Sequence, residues 1–164
     1  MQIPDILSSI AGGSITLAGF AAVFRAFAGS EDPDGHSRVR LNSVIEGGLV
    51  IAFVCYLPIW LSSIEIEPDI AWRISSGVIL IWGVVRIVAP TTRILTSGMP
   101  WPEMFKTVVL FGVIALVAAA MTAAGIWPRS AYSGYLLAVL ALFANVAAIF
   151  IAQFRAERDS KDES

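Results

Sequence analysis

The sequence predicts an all-α integral membrane protein, a bundle of five transmembrane helices with its N-terminus outside and its C-terminus cytoplasmic. Three observations predict it. Hydrophobic residues make up 57% of the 164 positions and charged residues only 15%, with a mean hydropathy of +0.76; a soluble domain carries roughly 45–50% and about 25%. The apolar residues gather in five runs, 3–28, 39–63, 70–89, 107–127 and 133–154, each long enough to cross about 30 Å of hydrocarbon at 1.5 Å per residue. Finally, basic residues near span ends are retained in the cytoplasm. With the N-terminus outside, Arg25, Arg38, Arg40, Arg86, Arg93, Lys106, Arg155, Arg158 and Lys161 collect inside, leaving only Arg73 and Arg129 outside. Omitting the third run would place Lys106 and the C-terminal basic residues outside and destroy that asymmetry.

The first span opens on Pro4-Asp5, a proline whose missing amide costs nothing at a helix start and an acid that favours the positive end of the dipole. Ala26-Phe27-Ala28 mimics a signal-peptide cleavage site, but the basic segment that precedes a signal peptide is replaced here by Asp5, and Arg25 stands before the supposed site. Ser9, Gly12, Gly13 and Thr16 fall on one face, the kind of small-residue surface by which helices approach each other in lipid. Arg25 projects from the opposite side and is expected to snorkel to headgroups. The connection that follows holds Glu31-Asp32-Pro33-Asp34-Gly35-His36; it lacks the ligand count and spacing of a calcium loop and reads as a solvated turn.

In the second span, Asn42, Ser43, Glu46 and Phe53 share a face, and Pro58 frees the carbonyl of Val54 from its usual partner. The next connection carries Glu65, Glu67 and Asp69, a negative outer loop that obeys the topology rule and attracts cations electrostatically. Pro68-Asp69 starts the third span, where Ser75, Ile79, Trp82, Arg86 and Arg93 form a stripe. Pro102-Glu103 opens the fourth, where Gly112, Ala115, Ala119 and Thr122 line up. In the fifth, Gly134, Ala138, Ala141, Asn145, Ala148 and Ala152 lie within about 80° of one another at 100° per residue. Trp60, Trp72, Trp127, Tyr132 and Tyr135 are expected at the outer interface and Trp101 at the inner one. Residues 155–164 mix both signs of charge and are expected to fray into water as a cytoplasmic tail.

Glu46 is the one acid inside a span, and ionisable groups at membrane depth face a bundle interior, a partner or a water path. Its position about five residues from the inner end matches the depth of Arg86 and Arg25, so the simplest reading is an ion pair with one of them; a proton or ion relay and a ligand contact are the alternatives. Asn145 reads first as interhelical glue. Several classes lack their residues. A net charge of −2 argues against nucleic acid as a partner, and one cysteine, Cys55, and one histidine, His36, are too few for a disulfide or a multi-histidine metal centre. No cofactor is expected: the chain carries no nucleotide-binding glycine loop, no His-Glu-x-x-His, and no lysine inside a span for a Schiff base. An intramembrane enzyme needs a nucleophile and base, or paired acids, at one depth, and the spans offer neither. The expectation is therefore a non-enzymatic helix-packing or interaction module of a bacterial-type cytoplasmic membrane, with the lipid bilayer as its medium and self-association through small-residue faces. The alternative is a small oligomeric channel or transporter using Glu46 and Arg86.

Overall fold

The computed structural model describes residues 3–27, 36–97, 103–127 and 130–162. Five α-helices account for them: α1 Ile3–Phe27, α2 His36–Ser63, α3 Pro68–Ser97, α4 Glu103–Ala123 and α5 Ala131–Asp162. The acidic turn at 31–35, Trp101 and Arg129 lie outside the described residues.

The bundle is assembled around α5, which touches all four other helices; α1 lies at the edge and packs chiefly on α2, while α4 packs on α5 and α3. The core is built from small and mid-sized side chains, among them Ala11, Ile51, Val54, Ile79, Ala115, Ala119, Ala138 and Val139. The perimeter is apolar as well. Phe20, Leu49, Phe53, Ile81, Val85, Leu110, Val117, Leu137 and Ile151 are all exposed, an arrangement that water penalises and hydrocarbon does not. Pro4–Phe27, Leu41–Ser63, Pro68–Arg86 and Ala131–Ala152 are each long and apolar enough to span a bilayer. The chain is a helical membrane protein. Within α4 the described apolar stretch, Val108–Ala123, is shorter, about 24 Å at 1.5 Å per residue.

Helix boundaries differ from the sequence expectation at three places. The stretch from Pro90, expected as a loop, stays helical to Ser97; Pro90 has no N–H for the carbonyl of Arg86, yet its fixed φ is compatible with the helix. The helix α5 continues to Asp162 rather than ending at residue 154, because Gln, Arg, Ala, Glu and Lys are strong helix formers with or without lipid around them. In contrast, α4 stops at Ala123, short of residue 127. Gly125 adopts φ +73°, its N–H donates to Thr122 O at 3.0 Å and that of Ile126 to Met121 O at 3.0 Å, the paired bonds of a Schellman ending. The same motif closes α2, with Ile66 N bonded to Leu61 O at 3.3 Å, but there the left-handed residue is Glu65, φ 64°.

The small-residue seams of α4 and α5 meet. Gly112, Ala115, Ala119 and Thr122 are buried, as are Gly134, Ala138 and Ala141. The seam expected on α1 divides: Gly13 is half-buried, an added carbon there lying 3.4 Å from Phe143 of α5, whereas Ser9, Gly12 and Thr16 are exposed, and the helix buries Leu7, Ala11, Ser14, Ala18 and Ala21. That face admits the backbone of α2, since a carbon added at Gly48 would sit 2.6 Å from Ser14 O and 3.0 Å from Ala18 Cβ. The hydroxyls on the outward stripe need no second helix. Ser9 Oγ donates to Asp5 O at 2.8 Å and Thr16 Oγ1 to Gly12 O at 2.9 Å, the local back-bonding typical of helical Ser and Thr.

Candidate functional site

Two helices build a charged cluster on the flank of the bundle. On α2, Asn42 and Glu46 are one turn apart on the outward face; on α3, Trp82 and Arg86 are likewise one turn apart, on the edge that faces α2. Arg86 Nη1 donates to Glu46 Oε2 at 2.8 Å, and the guanidinium carbon lies 5.8 Å from the centroid of the Trp82 ring, within the range of a cation–π contact. The side chains remain 36% and 52% exposed for Arg86 and Glu46, beside the exposed Leu49, Phe53 and Val85. This is an ion pair on the perimeter rather than at the centre of the bundle.

Its energetics follow from that placement. In water an exposed pair contributes about 0–1 kcal/mol. A lone charge at membrane depth costs about 2.5–3.5 kcal/mol at the centre of a span on insertion scales, so mutual neutralisation is the larger effect wherever hydrocarbon reaches the flank. Glu46 stands ten residues after the start of α2 and Arg86 eleven before the end of α3, so the two helices, joined by the short connection 64–67, bring the pair to one depth.

The other residues singled out by the sequence are dispersed. Arg25 is exposed at the end of α1 and takes no part in the ion pairs among the described residues. Asn42 is exposed. Asn145 lies at the level of Glu46, because Val146 packs against Gly47, but it turns toward α4, where its Nδ2 donates to Val108 O at 3.0 Å. Its Oδ1 is buried with no hydrogen-bond partner among the described residues. In the connection between α2 and α3, Glu65, Glu67 and Asp69 are all exposed, and Asp69 lies 3.7 Å from Arg73. Among the described residues no group of three His, Cys, Asp or Glu side chains is placed to hold a metal.

Compared with protein families, curated proteins and solved structures, the chain matches none of them.

At the opposite end of the bundle, Tyr135 corrects the aromatic-belt expectation. It is fully buried, and its hydroxyl donates to Val54 O, the carbonyl that Pro58 leaves without a helical N–H. Trp72 packs on it, ring centroids 5.3 Å apart, and meets Tyr132 edge-on at 5.4 Å. Trp127 is half-buried, with its indole N–H donating to Ser133 Oγ at 2.9 Å, while Trp60 is exposed. Periodicity gave the signal for Tyr135: at 100° per residue it lies about 60° from Ala138, about 40° from Ala131 and far from the outward Leu137 and Leu140.

Proposed function

We propose that this chain is a non-enzymatic helix-packing module of the cytoplasmic membrane that crosses five times, N-terminus outside, and pairs with a second copy of itself along α1. The carrying observation is the outward stripe of α1. The seams of α4 and α5 are consumed by each other, whereas Ser9, Gly12 and Thr16 face away from the bundle, and a carbon added at Gly12 or Gly19 would meet nothing within 4 Å. Helices in lipid associate where small residues let backbones approach, and this flank leaves room for one. The nine-to-two division of basic residues supports the orientation, and the 21 residues of α4, about 31 Å at 1.5 Å per residue, support a fifth crossing. The perimeter position of the Glu46–Arg86 pair favours packing over conduction, since neither side chain lines a central path.

Light scattering of the purified chain, corrected for detergent, tests the reading. Two copies of the 17.6 kDa chain are expected, and Gly12→Ile, at unchanged helicity, returns one. A single copy at every concentration of the unmodified protein refutes self-association. Ion flux across proteoliposomes is expected to stay near zero with and without Glu46→Gln; flux that this substitution abolishes overturns the packing reading in favour of a conduit.

A further inference from the structure

Where α3 begins, α4 ends and α5 begins, a cavity of about 210 Å³ opens between Asp69, Arg73, Thr122, Gly125, Trp127 and Ser130. That is several times the ~30 Å³ a water occupies in the liquid, enough for a polar group of headgroup size. Its chemistry carries both signs of charge. A carbon added at Gly125 would sit 2.8–2.9 Å from the guanidinium carbon and nitrogens of Arg73, so the left-handed glycine that ends α4 is also the shelf on which the arginine lies. Asp69, one turn earlier on α3, is 3.7 Å away. This is beyond hydrogen-bond reach, so Asp69 offsets the positive charge without occupying the donor fork.

Facing them is the start of α5. Ser130 precedes the helix, its carbonyl accepts from Ser133 N at 3.0 Å and from Ser133 Oγ at 2.9 Å, and the positive end of a 32-residue helix opens on the cavity beside Arg73. A bare anion meets Arg73 and this helix end but also Asp69, with Glu65 and Glu67 close behind it in sequence. A bare cation meets Asp69 but also the guanidinium. A ligand whose opposite charges lie a few ångströms apart satisfies both halves.

We propose that this cavity binds a zwitterionic phosphodiester headgroup of the phosphoethanolamine type, its phosphate between Arg73 and the start of α5 and its ammonium on Asp69. The assignment does not depend on the pairing along α1. Calorimetric titration of the purified full chain with dihexanoyl phosphatidylethanolamine, dihexanoyl phosphatidylglycerol, glycerophosphoethanolamine and inorganic phosphate tests it. The expected result is saturable binding of the zwitterionic lipid at least tenfold tighter than of the anionic lipid or inorganic phosphate. Arg73→Gln weakens it tenfold or more, and Asp69→Asn reverses the preference toward the anionic lipid. Glycerophosphoethanolamine binding as tightly as the lipid identifies a soluble ligand of the same chemistry; the lipid alone binding identifies the membrane as its source. No saturable binding of either, or affinities for both lipids that Arg73→Gln and Asp69→Asn leave unchanged at native helicity, overturns the proposal.

Discussion

Removing the hydroxyl of Tyr135 isolates one buried hydrogen bond whose necessity is set by a residue on another helix. Tyr135→Phe keeps the ring, and with it the packing on Trp72 at 5.3 Å, but deletes the donor to Val54 O. Hydrogen bonds inside membranes average about 0.6 kcal/mol and reach about 1.7, because a broken one finds other partners. Here other partners are scarce: Val54 is fully buried, and the residue that would donate to it within α2 is Pro58. A bare buried acceptor costs about 1–3 kcal/mol, so the effect belongs at the upper end of the intramembrane range, about 1.5 kcal/mol. The control is Pro58→Ala, which restores an N–H four residues after Val54 and supplies the carbonyl from its own helix. In that background Tyr135→Phe is expected to cost about 0.5 kcal/mol or less, a coupling of about 1 kcal/mol in the double-mutant cycle. Reversible unfolding in mixed detergent–SDS micelles, followed by circular dichroism, measures all four proteins. Equal losses from Tyr135→Phe in both backgrounds refute the claim that the hydroxyl stands in for the missing amide.

Three further outcomes are expected in the same assay. Gly48→Ala drives a carbon to 2.6 Å from Ser14 O, and a backbone atom in a packed helix cannot give way, so a loss of about 1–3 kcal/mol is expected; Gly77→Ala, with nothing within 4 Å, gains up to about 1 kcal/mol from helix propensity, and equal effects at the two sites refute the packing argument. Glu65→Gly relieves a left-handed residue, φ 64°, and is expected to stabilise by about 0.5–1 kcal/mol; a destabilised variant shows that the carboxylate makes a contact worth more than the strain. Asn145→Leu gives up the bond to Val108 O, about 0.6 kcal/mol, but also relieves the bare buried Oδ1, about 1–3 kcal/mol, so a net stabilisation of about 0.5–2 kcal/mol is expected; a loss above about 1.5 kcal/mol means that Oδ1 has a partner.

The stripes of α4 and α5 were legible as contact faces because both sides of that contact are written as small residues at helical spacing. The stripe of α1 carried the same signal, yet Ser9, Gly12 and Thr16 point outward and only Gly13 meets α5, at Phe143, since these residues look alike to periodicity whether the approaching backbone is α2 or a separate molecule. The choice fell to the face bearing Leu7 and Ala18, which fits against Gly48. The Schellman ending of α4 was present in the sequence as Gly125, but apolar Ile126 and Trp127 beyond it masked the stop. At Glu65 no glycine marks the turn.

The candidate site divides in the same way. Glu46 stood out by being the one acid away from the ends of an apolar run, and its depth limited its partner to Arg86 or Arg25. Only packing chose between them, because the short connection 64–67 folds α3 back along α2 and places Arg86 beside Glu46, while α1 carries Arg25 to an exposed end. The cavity at Arg73 left no linear trace, as its lining comes from α3, the end of α4 and the start of α5, separated by some sixty positions.

Composition together with the twenty-residue length of the apolar runs determined that the chain is helical and membrane-embedded, because lipid requires every backbone group to be satisfied within the protein and a barrel strand needs only about 9–11 residues. The count and spacing of prolines determined that Val54 O would be orphaned. Which side chain answers it, which seams close inward and where opposite charges share a cavity were decided by the tertiary structure, since each depends on the rotation of one helix against another, a degree of freedom on which lipid, apolar on every side, exerts no preference.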